Sequence, residues 1–307
     1  MTARTPRRSR LATAGALVAA GALLLSACGT DDGGNDNGGA AADAEAPLYD
    51  QLPEDIQEAG RIVVGSDIDY APIEFINEDN EIDGIDPDIA AAMGEVLGVE
   101  FEFQNGSFDD LIANMNSGRV DIIMSAMTDT AERQQGATED AEGGADFVNY
   151  FQAGSAILVQ DGNPEGIESL ADMCGMTVAL QRGTANEALA EQQNEECGGD
   201  LTILAGDQDS QSLRELQQGR AAAVITDYPV ALYNALTAGG GDAFEVVGEQ
   251  IDAAPYGIAV PKDNNELRDA LQQAVQQIID DGSYAEVLEK WDAQTGAVEE
   301  ATVNAGE

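Results

Sequence analysis

Arg61-Ile62-Val63-Val64-Gly65, followed by Pro87-Asp88-Ile89-Ala90-Ala91-Ala92-Met93-Gly94-Glu95-Val96-Leu97, decides the fold. The first run is β-branched and apolar, as a buried strand is, and the second carries proline near its first turn with apolar residues at helical spacing. Working outward, Phe101-Glu102-Phe103 alternates as a strand. Asp109 to Asn116 has helical spacing behind a candidate Ser107 cap with Asp110 three residues on, and Val120 to Met124 is again an apolar strand. Strands and helices that alternate in this way form a mostly parallel sheet covered by helices on both faces.

The pattern then restarts. Met176 to Leu180, Leu201 to Leu204 and Ala221 to Ile225 read as strands, and Thr184 to Glu196, Ser210 to Gln218 and Pro229 to Thr237 as helices. Two extended segments, Phe147 to Val159 and Asp252 to Val260, connect the halves and are expected to be hinge strands. Leu267, Leu271, Val275 and Ile278 recur at helical spacing, and a last helix runs from Tyr284 to Trp291. Lacking strands of their own, these helices should pack back on the first half. The expected fold class is therefore α/β in two lobes, each a mixed sheet flanked by helices. Lobe 1 takes 51–151 and 255–298, lobe 2 takes 152–254, and 299–307 reads as a flexible tail.

Upstream, Arg4, Arg7, Arg8 and Arg10 precede an uncharged stretch from Leu11 to Leu25, the n- and h-regions of a secretory signal over 1–27. About fifteen apolar residues fall short of the roughly 20 that span a bilayer. Leu25-Ser26-Ala27-Cys28 resembles the bacterial lipobox, so Cys28 is expected to carry a lipid that anchors the chain to the outer face of the cell membrane. Residues 28–50 are rich in Gly, Asn, Asp and Ala and read as a disordered tether.

The chain holds 58 acidic and 13 basic residues; four arginines leave with the signal, so the remainder carries a net charge of −49. That field repels nucleic acid phosphates. With Cys28 lipidated, Cys174 and Cys197 form an even pair in an exported chain, where disulfides persist. A bridge between them would contribute on the order of 3 kcal/mol through the unfolded state. The chain has no histidine. This removes Ser-His-Asp and Cys-His nucleophilic machinery, the HExxH zinc site and the commonest general base; no metal or cofactor is expected.

Gly84-Ile85-Asp86-Pro87-Asp88-Ile89-Ala90-Ala91-Ala92-Met93-Gly94 resembles the signature of the family 3 extracellular solute-binding proteins, which serve polar amino acid ABC transporters. Further stretches fit in order: Asp67 to Phe75, Ser125 to Arg133, Gln181 to Thr184, Asp227-Tyr228-Pro229 and Tyr256 to Val260. The resemblance spans about Arg61 to Trp291. It implies a type II periplasmic-binding-protein-like fold, an ABC permease as partner, a monomer, and hinge closure on an amino acid.

The resemblance also implies site roles, each with a physical reason. Arg133 would clamp the ligand α-carboxylate, because a guanidinium offers paired donors in a planar fork. Thr128 and backbone groups at Ser125 and Ala126 would add hydrogen bonds at the carboxyl end of a strand, where α/β crevices bind ligands. Thr184 reads as a helix cap with Glu187 three residues on, and the helix start near Ala185 would turn free N–H groups toward the carboxylate. Asp227, otherwise a cap for the next helix, would meet the α-ammonium. Tyr70 and Phe108 would sandwich the ligand side chain, with Asp67 at its far end.

Four positions depart from the family's pattern: Pro87, Ala126 where glycine is frequent, Asp129 where an apolar residue is usual, and Gln181. Asp67 and Asp69 favour a cationic or amide side chain, while Gln181 and Arg182 would accept an amide or an acid, so a glutamine-like or basic ligand is expected. Two alternatives belong to other classes. One is a dehydratase-type enzyme of this fold, in which Asp67 or Glu74 would serve as the acid; the other is a sensory surface protein.

Overall fold

The computed structural model describes residues 42–138 and 140–307. The signal segment, Cys28 and the first part of the expected tether lie outside the described residues. From residue 42 the chain lies on lobe 1. A short helix α1 (Glu54–Ala59) leads into β1 (Arg61–Ser66), the hairpin strands β2 (Phe75–Ile76) and β3 (Ile82–Asp83), helix α2 (Ile85–Leu97) and β4 (Glu100–Asn105). Helix α3 (Leu111–Asn116), β5 (Ile122–Ile123) and α4 (Ala131–Gln135) complete the first half. The long strand β6 (Asp146–Gln160) crosses to β7 (Thr177–Gln181), α5 (Ala185–Glu196), β8 (Thr202–Gly206), α6 (Asp209–Gln217), β9 (Ala223–Asp227) and α7 (Tyr228–Thr237). The long β10 (Phe244–Val260) returns, and α8 (Asn265–Asp281), α9 (Ser283–Lys290) and β11 (Thr302–Val303) close the chain.

One sheet runs through both lobes in the order β4-β1-β5-β10-β6-β9-β7-β8, with β11 added to β6. The outer strands pair in parallel, β1 with β4 and β5, and β7 with β8 and β9. The two long strands pair antiparallel from Val260↔Asp146 in lobe 1 to Phe244↔Gln160 in lobe 2. Their register breaks between Val247 and Ile251 and again between Ile251 and Ala254. Beside that break a Cβ on Gly154 would sit 2.1 Å from the Ile251 carbonyl oxygen, so only glycine lets the strands cross this closely. The hinge is thus where the ladder is weakest.

The lobe 1 core joins β1, β5 and the inner faces of α2, α8 and α9 through Ile62, Val64, Ile89, Met93, Leu271 and Val275, all fully buried. The C-terminal helices pack back here, as their lack of strands demands. Lobe 2 has an apolar cluster on each face of its sheet, one around Val178, Leu180 and Ile225 and the other around Ala179, Val224 and Leu216. Cys174 and Cys197 are bridged, tying the start of β7 to the end of α5.

Four expectations give way to the structure. The part of the tether over 42–50 is packed: Asp43 N–H donates to Gly98 O and Leu48 N–H to Val96 O, which satisfies carbonyls at the end of α2. Leu48 and Tyr49 lie against the lobe 1 core. Ser107 does not cap a helix; its hydroxyl donates to Asp109 Oδ1 and the chain enters α3 through a 3-10 turn, Phe108–Asp110. The strand expected over 120–124 shortens to Ile122–Ile123. The tail 299–307 is not free: Thr302 and Val303 pair with Asn149 and Val148 of β6.

Candidate functional site

The strands of both lobes end at one gap that its own side chains nearly fill, with about 10 Å³ of free space left. From lobe 1 it is lined by Asp67 and Tyr70 after β1, Phe108 after β4, and Ser125, Ala126 and Thr128 after β5. Arg133 reaches in from α4. From lobe 2 come Gln181 at the end of β7, Thr184 and Ala185 at the start of α5, and Asp227 at the end of β9. The structure therefore brings all eleven sequence-derived candidates to one place. It adds two more, Glu74 and Asn186. Neither carries a local signal: Asn186 lies in the first turn of a helix, and Glu74 enters the sequence reading only as an alternative acid.

Arg133 is the cation of this gap. Burial costs its charge and lowers its pKa, while the fields of Asp140, Asp227 and Asp129 oppose that shift. Nη1 donates to Thr128 O at 2.8 Å and Nη2 crosses the gap to Gly183 O at 2.8 Å. The guanidinium lies 5.4 Å from the Phe108 ring centroid, so the face of that ring is occupied by a protein cation. Thr130 caps α4 by accepting from Arg133 N–H, which fixes where the arginine leaves the helix.

Asp227 starts α7 but makes no side-chain cap, so its carboxylate is released toward the gap. It accepts from Asn186 Nδ2 at 2.8 Å and from the Tyr256 hydroxyl. Its pKa is raised by burial, against the lowering influence of these donors and of Arg133. A carboxylate has about four acceptor sites, so capacity remains for a further donor. The Asp227 N–H itself donates to the Tyr70 hydroxyl at 3.1 Å, another contact across the gap.

Thr184 does cap α5, accepting from Glu187 N–H at 3.2 Å while its own hydroxyl donates to Gln181 O at 2.7 Å. Glu187 reaches back to Gly183 N–H, so the box closes one residue before the cap. Ala126 holds φ at 47°, a left-handed conformation that glycine adopts without strain, and its N–H donates to Asp86 Oδ2 at 3.2 Å.

The end of the gap opposite Arg133 is acidic. Asp67 accepts from Gln181 Nε2 at 2.6 Å across the lobes, yet burial raises its pKa to about 6. Asp67 N–H donates to Ser125 Oγ at 2.9 Å, and that hydroxyl donates to Glu74 Oε1 at 2.7 Å. Glu74 is fully buried; among the described residues no N–H or hydroxyl reaches its Oε2, and its carboxyl hydrogen-bonds the Asp86 carboxyl instead. Burial, reinforced by the charge of Asp86, holds its carboxyl well above the usual range. Asp86 sits behind it, bound by the Tyr150 hydroxyl at 2.6 Å and raised by burial to about 6. Asp209, buried on the lobe 2 side, is raised by burial to about 7.

The profile of the bacterial extracellular solute-binding proteins, family 3, matches residues 62–294. The arginine-binding protein ArgT of Corynebacterium glutamicum is 30% identical over 98% of this chain and 97% of its own length. Among solved structures, an ancestral arginine-binding protein bound to arginine superposes with a TM-score of 0.69 at 34% identity, covering 76% of this chain and 98% of its own. An ancestral amino acid-binding protein described as a precursor of cyclohexadienyl dehydratase gives 0.66 at 32% identity, covering 78% and 98%.

Proposed function

Since the chain belongs to the bacterial extracellular solute-binding proteins of family 3, we propose that it captures a basic amino acid, arginine foremost, between its lobes and presents it to the permease of an ABC importer. Arg133 would take the α-carboxylate and Asp227 the α-ammonium, the two ends of the zwitterion meeting opposite charges on opposing walls. That pairing leaves Asp67 and Glu74 unmatched. The observation that carries the reading is the surplus of buried acid at this edge of the gap, where Asp67, Glu74 and Asp86 crowd together and no N–H or hydroxyl among the described residues reaches the second oxygen of Glu74. A buried carboxylate is costly unless paired and hydrogen-bonded, and a guanidinium or ammonium supplies both the charge and the donor. An uncharged amide, the other expected ligand, would supply donors but no charge to favour ionisation of these raised carboxyls. The names of ArgT and of the ancestral protein point the same way.

Capture and release need no bond to be broken in the ligand, and the chain acts as a binding protein and not an enzyme. In this reading it works as a monomer, held outside the cell by a lipid on Cys28, with no nucleic acid partner. The test is a thermal-shift screen of residues 42–307 against the common amino acids, followed by mass analysis of the recovered ligand. Arginine should raise the unfolding free energy by about 2.7 kcal/mol at roughly 100 times its Kd and be recovered unchanged. A response to neutral or acidic amino acids but to no cationic one would overturn the ligand assignment; a dehydrated or decarboxylated product would overturn the non-enzymatic one.

A further inference from the structure

Asp129 is an acid that is almost completely buried, 1% exposed. Its carboxylate is nevertheless fully used. Oδ1 accepts from Gln134 Nε2 at 2.7 Å; Oδ2 accepts from Asn149 Nδ2 at 3.0 Å and from the backbone N–H of Gly306 at 2.9 Å. The last of these donors belongs to the C-terminal tail, 177 residues away. Gln134 Nε2 also donates to Gly306 O at 3.1 Å, so α4 and the tail hold each other from both sides.

The tail reaches this place by a continuous set of contacts. Thr302 and Val303 form an edge strand on β6. Asn304 N–H donates to Phe147 O and its side-chain carbonyl accepts from Phe147 N–H at 2.8 Å. Ala305 N–H donates to Asn149 Oδ1 at 3.2 Å. At Gly306 the tail meets Asp129 so closely that a Cβ would lie 1.8 Å from the Asp129 carbonyl oxygen. No other residue fits there without moving one of the two segments. One peptide earlier in the chain, Thr128 O accepts from Arg133 Nη1 at 2.8 Å.

We propose that residues 302–306 are a clasp that positions the carboxylate-binding arm, Thr128 to Arg133, through the buried Asp129. Gly306, Asn149 and Gln134 are positioning residues: they touch no ligand but fix the segment from which Arg133 reaches the gap. The acid at 129 and the ordered tail are two halves of one device. This rests on the reading of Arg133 as the carboxylate clamp.

The experiment uses L-arginine as the probe and titration calorimetry as the readout on three proteins: the parent chain, Gly306→Val, and a chain ending at Ala301. Each variant should lose affinity roughly tenfold, the equivalent of about one net hydrogen-bond network member. Adding the free peptide of residues 301–307 to the shortened chain should restore it, whereas Gly306→Val should not respond because its own tail blocks the seat. Unchanged affinity in Gly306→Val and the shortened chain overturns the clasp, and a loss that the peptide does not reverse assigns the tail a general stabilising part instead. A parent chain that ignores L-arginine, or an Arg133→Ala chain that binds it normally, refutes the reading of the gap itself and is distinguishable from either outcome.

Discussion

Replacing Arg133 by alanine removes the only cation among the described residues that lines the gap and does two separable things. In the ligand-free protein it deletes a cross-lobe bond, Nη2 to Gly183 O, and the stack on Phe108. Each is worth about 1 kcal/mol net. Against this, the burial that lowers the Arg133 pKa is relieved, so the apo Tm should move little. In the complex the loss is larger, because the ligand carboxylate is left buried without its charge-assisted partner, which costs about 3–5 kcal/mol. That is roughly a 150- to 5,000-fold rise in Kd. Lysine at 133 keeps the charge and loses the planar fork, so it should fall between the two. The assay is calorimetric titration with L-arginine, paired with a thermal scan of the apo protein. An alanine variant that binds within threefold of the parent would refute the role of Arg133, and one whose apo Tm collapses would show the arginine to be a structural cross-brace first.

Glu74→Gln keeps the bond from Ser125 and removes the charge. It should weaken arginine binding by roughly 10- to 150-fold, as loss of a charge-assisted bond does, with little effect on any glutamine binding, and it should raise the apo Tm by relieving a buried acid. A specificity ratio left unchanged in competition titrations would show that Glu74 does not read the ligand side chain. The pH dependence has opposite signs for the two states. Asp67 and Asp86 have folded pKa values of about 6, and Asp209 about 7, against an ordinary value of 3.8. Raised values favour the folded state most below the unfolded pKa, and that advantage is lost as pH climbs through about 6 to 7. Apo stability should therefore rise on acidification from pH 7 toward pH 5. Arginine affinity should fall over the same interval, as Asp67 and Glu74 hold protons that a cation must displace. Titrations in two buffers of different ionisation enthalpy would show proton release at pH 6; arginine binding that strengthens on acidification would contradict the assignment.

Much of this site is legible in the linear chain because the fold writes it at strand ends. Once Arg61–Gly65, Val120–Met124 and Ala221–Ile225 are strands, the residues that follow each must face a common edge, and Asp67, Ser125 and Asp227 follow directly. Helix capping competes for the same residues, and the sequence cannot arbitrate: Thr184 caps α5, whereas Asp227 stands at the cap position of α7 and turns away. Glu74 stands in the sequence only as an alternative acid because its environment is non-local. Its partner Ser125 is 51 residues distant and Asp86 lies on another element. The tail misled for a related reason. Its Gly, Asn and Glu content is that of a segment without a core of its own, and what orders it is a set of side-chain amides, Asn149 and Gln134, that pattern reading assigns to the surface.

The groups that line the gap also hold the two lobes to each other. Arg133 to Gly183 O, Gln181 to Asp67, Tyr70 to Thr226 and Asp227, and Ser210 to Asp69 all join lobe 1 to lobe 2. At about 1 kcal/mol net apiece they favour closure by a few kcal/mol. Closure also drives acid against acid, since Asp209 in lobe 2 feels the charges of Asp69 and Asp67 in lobe 1. The balance between these terms is small and of opposite sign, which is the condition under which a ligand can decide the outcome. A cation at Asp67 and Glu74 cancels the repulsive term only when the lobes are together, so its binding energy is realised in the closed state and not the open one. A neutral side chain would gain the same hydrogen bonds from the backbone ends of β5 and α5 but leave the repulsion in place. On the proposed reading, selectivity for charge and the drive to close would come from one feature, the excess of buried acid over base at the meeting of the lobes.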